Sequence, residues 1–201
     1  MWPNPYSTCF TSPNKCQFEN PSDCSPIEIA ANLPSVGQIV GPHGSGKSTL
    51  AFAIGQLLLQ QNRIANIRSL IFRRGQVCSR SDWQQSSSDE HGQLLIVDGI
   101  ESLNWVHRRI SLWYLQRNGN FNLLTTHCKL NGVPTVQKTA PQIDHFTKLA
   151  MKLQANREFR VSHAEIVSAY TRNQGNYRAA LMELYDVWQD YQRVQPQSPA
   201  I

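Results

Sequence analysis

The sequence predicts an α/β protein, a three-layer parallel β-sheet core with a C-terminal helical extension. Three observations carry that expectation. Short apolar runs alternate with helical patterns from residue 36 to residue 137, the order produced by a parallel sheet with helices on both faces. A glycine-rich loop stands between the first apolar run and the first helical pattern. After Pro141 the strand signals stop and helical periodicity takes over.

The chain has 201 residues, 40% hydrophobic and 16% charged. That suffices for one globular core without disulfides or a structural metal. The formal charge of +5 suits a polyanionic ligand such as a nucleotide. No Lys/Arg run exceeds two residues, so nucleic acid is not expected as a partner. No stretch approaches the ~18 uninterrupted apolar residues of a membrane span. Residues 1–5 lack the basic-then-apolar pattern of a signal peptide, and a cytoplasmic protein is expected. Cys9, Cys16, Cys24, Cys78 and Cys128 do not form the close pairs of zinc sites. They read as free thiols in a reducing compartment.

Residues 1–34, rich in Pro, Asn, Ser and Cys, read as an extended N-terminal arm. Residues 36–40 form the first strand, and residues 46–61 a helix whose wide apolar coverage predicts deep burial. A second strand spans residues 67–72, followed by Arg73 and Arg74. Residues 81–92, polar and serine-rich, form a surface excursion. Residues 94–97 are the most strand-like run and end at Asp98. Leu103, Val106, Ile110, Trp113 and Arg117 mark a helix with one apolar stripe, stopped by Asn118 and Gly119. Residues 121–126 and 134–137 supply two further strands. Ser162 and Glu165 have capping-box spacing. Gly175 separates that helix from a last one, where Tyr177, Leu181, Leu184, Trp188 and Tyr191 form a seam that must pack on this core or on a partner. The expected division is an arm over residues 1–34, a nucleotide-binding core over residues 35–156 and a helical extension over residues 157–195.

Gly41, Pro42, His43, Gly44, Ser45, Gly46, Lys47, Ser48 and Thr49 match G-x-x-x-x-G-K-[ST] in full. Gly44 and Gly46 let backbone N–H groups curl round a phosphate, and the following helix adds its positive N-terminal end. Lys47 can neutralise the outer phosphates, and Ser48 can place its hydroxyl on Mg²⁺. Asp98, at the end of a buried strand, is expected to reach the same Mg²⁺ from the neighbouring strand.

At these residues the chain resembles the P-loop NTPases. Residues 41–49 are similar to their Walker A motif and residues 94–98 to their Walker B motif, over roughly residues 35–140. The arm and the cradle together also resemble small bacterial P-loop proteins, a likeness that supplies no activity. Residues 122–127 resemble the fourth core strand of ABC-type and related ATPases. That resemblance makes Thr126 and His127 candidates for sensing the γ-phosphate or orienting the attacking water. It also makes an upstream aromatic, Tyr6 or Phe10, a candidate for stacking on adenine.

Two departures stand out. Gly99 occupies the place where such ATPases carry a water-polarising glutamate, and the nearest acid is Glu101. Neither the ABC signature loop nor the guanine-reading N-K-x-D is present, so ATP is the expected nucleotide. The leading expectation is a Mg²⁺-dependent ATPase, with Lys47, Glu101, Thr126 and His127 as its catalytic residues. A small-molecule kinase of the nucleoside or pantothenate type is one alternative. A nucleotide-dependent switch is another, its C-terminal helices docking on a protein partner. Arg108 and Arg109 read as a solvated face, with charge neutralisation across a homo-oligomer as the alternative.

Overall fold

The protein is described from a computed structural model, which covers residues 3–13, 15, 25–72, 92–157 and 159–194. Residues 81–91 of the serine-rich excursion, Arg73, Arg74, Cys16, Cys24 and Cys78 lie outside these residues.

Five strands, β1 (Val36–Val40), β2 (Asn66–Ile71), β3 (Gln93–Asp98), β4 (Phe121–Thr126) and β5 (Thr135–Lys138), form one sheet in the order β2-β3-β4-β1-β5. Every pairing is parallel. The helices are α1 (Thr8–Thr11), α2 (Pro26–Ala31), α3 (Lys47–Gln60), α4 (Trp105–Leu115), α5 (Ile143–Leu153), α6 (His163–Arg172) and α7 (Tyr177–Val194).

A side-chain period of two divides each central strand between two cores. On β3, Leu94 and Ile96 join Leu50, Ile54 and Leu58 of α3, whereas Leu95 and Val97 face the opposite core with Leu115 of α4. Fully burying one such side chain contributes roughly 2 kcal/mol. Strands read from sequence as near-continuous apolar runs are therefore buried on both faces.

Three expectations change. The N-terminal arm is not extended. Ala30 of α2 is buried in the α3 core, and Tyr6 is 2% exposed within the helical cluster. Helix α5, placed by sequence in the nucleotide-binding core, contributes Phe146 and Ala150 to the cluster built by α6 and α7. Helix α4 turns most of the apolar stripe read from the sequence outward, burying Ser111 and Leu115 and exposing Val106, Ile110 and Trp113.

The capping box of Ser162 and Glu165 starts α6 as its spacing predicts. The α7 seam packs within the chain, with Leu184 and Trp188 buried against the helical cluster and the Tyr191 ring 4.6 Å from that of Phe159. Among the described residues, no helix is long and apolar enough to cross a membrane.

Candidate functional site

Strand β1 lies between β4 and β5, at the point where the strand order reverses. Open parallel sheets bind ligands at the carboxyl end of such a switch point. The loop 41–46 leaves β1 there and enters α3. Gly44 and Gly46 have φ of 70° and 85°, a left-handed conformation costly for a residue with a Cβ. Gly46 caps α3 without a side-chain hydrogen bond, so no cap side chain ties up the N–H groups of the first turn. They meet the positive end of the helix dipole.

Lys47, the first residue of α3, is 7% exposed. Its Nζ donates to the carbonyls of Gly41 at 2.8 Å and Pro42 at 2.7 Å and lies 3.4 Å from His127 Nδ1. Burial pushes the ammonium's pKa below the usual lysine value, while the carboxylates of Asp98 and Glu101 pull it back up. The cradle lysine therefore feels both acids.

Those acids come from the end of β3. Asp98 Oδ1 accepts a hydrogen bond from Thr125 Oγ1 at 2.8 Å, the residue paired with it across the β3–β4 ladder. Gly99 follows at φ 76°, and a Cβ there would collide with the carbonyl of Phe72. No glutamate fits at that position. A 3₁₀ turn, Ile100–Ser102, instead brings Glu101 back to the site. Its Oε1 accepts from the backbone N–H of His127 at 3.0 Å, and its Oε2 is buried without a hydrogen-bond partner.

His127 Nε2 lies 3.8 Å from Glu101 Oε1, and its Nδ1 lies 3.2 Å from the Gly41 carbonyl oxygen. The ring meets that of His43 at a centroid distance of 3.6 Å, tilted by 41°. The loop after His127 is held by Gln38 of β1, which is fully buried. Its Nε2 donates to the carbonyls of Leu130 and Val133, and its Oε1 accepts from Leu130 N.

The helical unit closes the opposite wall. Asn176 caps α7, its Oδ1 accepting from Ala179 N. A Cβ on Gly44 would strike that same Oδ1. The loop that leads into the N-terminus of α3 thus meets the N-terminus of α7 at Gly44.

The fold and these positions can be compared with known proteins. A variant of Thermotoga maritima RuvB superposes with a TM-score of 0.61 at 17% identity, covering 82% of this chain and 58% of that one. Domain III of the Thermotoga maritima replication initiation protein DnaA gives 0.53 at 12% identity, covering 86% of this chain and 84% of that one. Both are P-loop ATPases of the AAA+ kind. This chain has the P-loop NTPase fold. No protein-family model and no curated protein sequence matches it, so the likeness is one of fold. It spans 58% of the RuvB chain's length.

In this P-loop NTPase fold Lys47, His127 and Glu101 lie together, with Asp98 near enough to act on the Lys47 ammonium, and three details of the sequence reading are corrected. Asp98 does not sit on the strand next to the cradle, because β4 lies between β3 and β1. Thr126 is fully buried, with its hydroxyl turned 3.4 Å from Gln38 Oε1 rather than toward the loop. The neighbouring Thr125 is the one that contacts the acid. Tyr6 does not offer its ring to a base. It is buried against α5 and α6, and its hydroxyl donates to Gln154 Oε1 at 2.8 Å. Burial pushes its phenol above the usual tyrosine pKa.

Within the cradle, Ser45 is structural, its Oγ donating to the Pro42 carbonyl and lying 2.7 Å from Thr139 Oγ1. Sequence reasoning missed Thr125, Gln38 and Asn176. The run 173–176 carried the signal for the last of these. A glycine and an asparagine end one helix and cap the next.

The donors fit the groups the fold implies. Uncapped amides and an ammonium suit a polyphosphate, and the Ser48 hydroxyl with the Asp98 carboxylate offers the oxygens a hard Mg²⁺ takes. The orphaned Glu101 Oε2 lacks a donor that a water would supply.

Proposed function

We propose that the protein binds ATP with Mg²⁺ in the cradle and hydrolyses it, with Glu101 as the base. The observation that carries this reading is the Glu101 carboxylate. One oxygen is fixed by His127 N–H, and the other is buried, unpaired and electrostatically coupled to Lys47.

In this reading the amides of residues 44–48 and the Lys47 ammonium hold the phosphates. Ser48 and Asp98 hold Mg²⁺, which when bound supplies charge neutralisation at the phosphate oxygens. Glu101 Oε2 accepts a hydrogen bond from the attacking water and takes its proton. His127 faces the outer phosphate beside Lys47, while Thr125 fixes the rotamer of Asp98.

The test is Mg²⁺-dependent phosphate release alongside nucleotide binding, for wild type, Lys47→Ala and Glu101→Gln. Lys47→Ala is expected to weaken ATP roughly 10- to 100-fold, the loss of a charged hydrogen bond. Glu101→Gln is expected to bind ATP normally and turn over about 10²–10⁴-fold more slowly. Normal turnover by Glu101→Gln would remove Glu101 as the base, and normal binding by Lys47→Ala would remove the site itself.

A switch is the second reading, favoured by the contact of the α7 cap with Gly44. The loop that would hold the phosphates and the N-terminus of α7 therefore lie against each other. A partner captured with ATP and released with ADP, by a Glu101→Gln protein that cannot hydrolyse, would separate switching from turnover.

A further inference from the structure

A cleft opens between α2 and β5, away from the phosphate loop. Its volume is about 510 Å³, within the ~300–1,000 Å³ of small-molecule sites. Pro34 and Pro134, which precede β1 and β5, line it, so it sits toward the amino ends of these strands. The phosphate loop leaves the opposite end of β1, five residues further along, or roughly 16 Å.

From α2 come Glu28, Ile29 and Asn32, with the cap residue Ser25, because positions three, four and seven apart share one helix face. Val136 and Gln137 of β5 stand opposite. Strand β5 is a sheet edge, paired among the described residues with β1 alone. It is nevertheless poorly suited to take up a further strand. It has four residues, its register with β1 shifts after Gln38, and it ends in Lys138. Short, irregular and charged edges resist added strands. The cleft therefore fits a compact ligand better than an extended chain.

Its polar lining is one-sided. Asn32 Nδ2 donates to the Glu28 carbonyl and Gln137 Nε2 to the Lys138 carbonyl, both at 3.0 Å. Those bonds orient the amides, and among the described residues neither amide oxygen receives a donor. The exposed Glu28 carboxylate likewise meets no donor among them. No Lys, Arg or His lines the cleft, and Glu28 carries its only charge. Acceptors of this kind are satisfied by an ammonium or a guanidinium, which donate and never accept. Ile29, Val136 and the two prolines supply an apolar floor beside them.

We propose that this cleft binds a small organic cation, an ammonium or guanidinium on a short aliphatic stem, its head on Glu28 and its stem against Ile29 and Val136. The chain's net charge of +5 disfavours a basic protein surface as the occupant, because a run of cations would meet the chain's own surplus. A lone cation in the cleft responds chiefly to Glu28, since salt screens exposed charges more than ~8 Å apart. The inference does not depend on ATP binding or hydrolysis.

Titration of the isotope-labelled whole chain with n-butylammonium and n-butylguanidinium, followed by NMR, tests it, with n-butanol as the neutral control. Both cations are expected to bind at roughly millimolar concentration, as ligands of this size do. Shifts are expected at residues 28–32 and 134–137 and not at residues 44–48. Glu28→Gln is expected to weaken both cations about three- to tenfold, with an unchanged unfolding midpoint and unchanged n-butanol binding. Equal affinity for n-butanol and the cations overturns the proposal. So does unchanged cation binding by Glu28→Gln, or shifts that cluster at other surface acids. Binding of acetyl-Gly-Arg-Gly-amide at these residues at least about tenfold tighter than n-butylguanidinium also overturns it, and gives the cleft to an arginine of a partner protein.

Discussion

The backbone amide of His127 and the carboxylate of Glu101 meet at 3.0 Å, so the end of β4 holds the acid that follows β3. The carboxylate reaches this place through the 3₁₀ turn after Gly99, two residues later than the usual position in ATPases that the sequence resembles. The detour has a steric origin. At φ 76° and against the Phe72 carbonyl, residue 99 has no room for a side chain.

Gly99→Ala is therefore expected to destabilise the protein by about 1–3 kcal/mol, the cost of a non-glycine residue in a sparsely populated conformation. The collision with Phe72 makes the upper end the expected value. Gly99→Glu is expected to be no more stable and to hydrolyse ATP no faster than wild type. Urea unfolding and phosphate release check both, and a faster Gly99→Glu enzyme would show that Glu101 is not the working carboxylate.

Under the proposed function, Lys47 is expected to make nucleotide binding pH-dependent with a defined sign. Its pKa is lowered in the folded protein, mainly by burial. Between that lowered value and the ordinary lysine value, the unfolded chain holds more protons than the folded one. Stability without nucleotide thus rises with pH across that window. Phosphate favours the charged ammonium, so ATP binding should draw in a proton there, and affinity should fall as pH rises. Calorimetry in buffers of different ionisation enthalpy measures the uptake. Lys47→Arg, which does not titrate, should abolish the uptake, and its persistence would place the proton elsewhere.

Much of this site is legible in the sequence because the elements that build it are local. The loop, the following helix and the acid-ending strand each occupy one short run, and their spacing matches the chemistry of phosphate. What the sequence hides depends on long-range packing or on one-residue register. Tyr6 looks like an exposed arm aromatic until Gln154, 148 positions away, claims its hydroxyl. Thr125 and Thr126 are adjacent and chemically equivalent, yet the strand period sends one hydroxyl to Asp98 and the other toward Gln38. On α4 the periodicity of Val106, Ile110 and Trp113 is real, but periodicity identifies a face without saying which side it meets.

His43 is expected to act through His127. The two rings are in contact, and an aromatic pair is worth about 0.5–1.5 kcal/mol beyond its buried area. His43→Ala should free the His127 ring and lower turnover roughly 2- to 10-fold by that energy, with ATP affinity little changed. His43→Phe keeps a ring in place and should recover most of the rate. Equal rates for the two variants would mean that the contact does not position His127.

Asn176 gives the cleanest separation of stability from binding. Its Oδ1 caps α7 and faces Gly44. Aspartate caps a helix about as well as asparagine, whereas alanine loses about 1 kcal/mol. Asn176→Asp should therefore unfold like wild type, while its new carboxylate stands against the phosphate loop. A like charge at the cradle opposes ATP, at roughly 1 kcal/mol or more through partly solvated surroundings, which corresponds to a loss of affinity of about fivefold or more. Asn176→Ala should show the reverse pattern, with lower stability and nearly normal binding. Titration with a fluorescent ATP analogue, alongside thermal unfolding, distinguishes the two. If Asn176→Asp binds as tightly as wild type, the N-terminus of α7 does not face the bound nucleotide, and the helical unit is not part of the site.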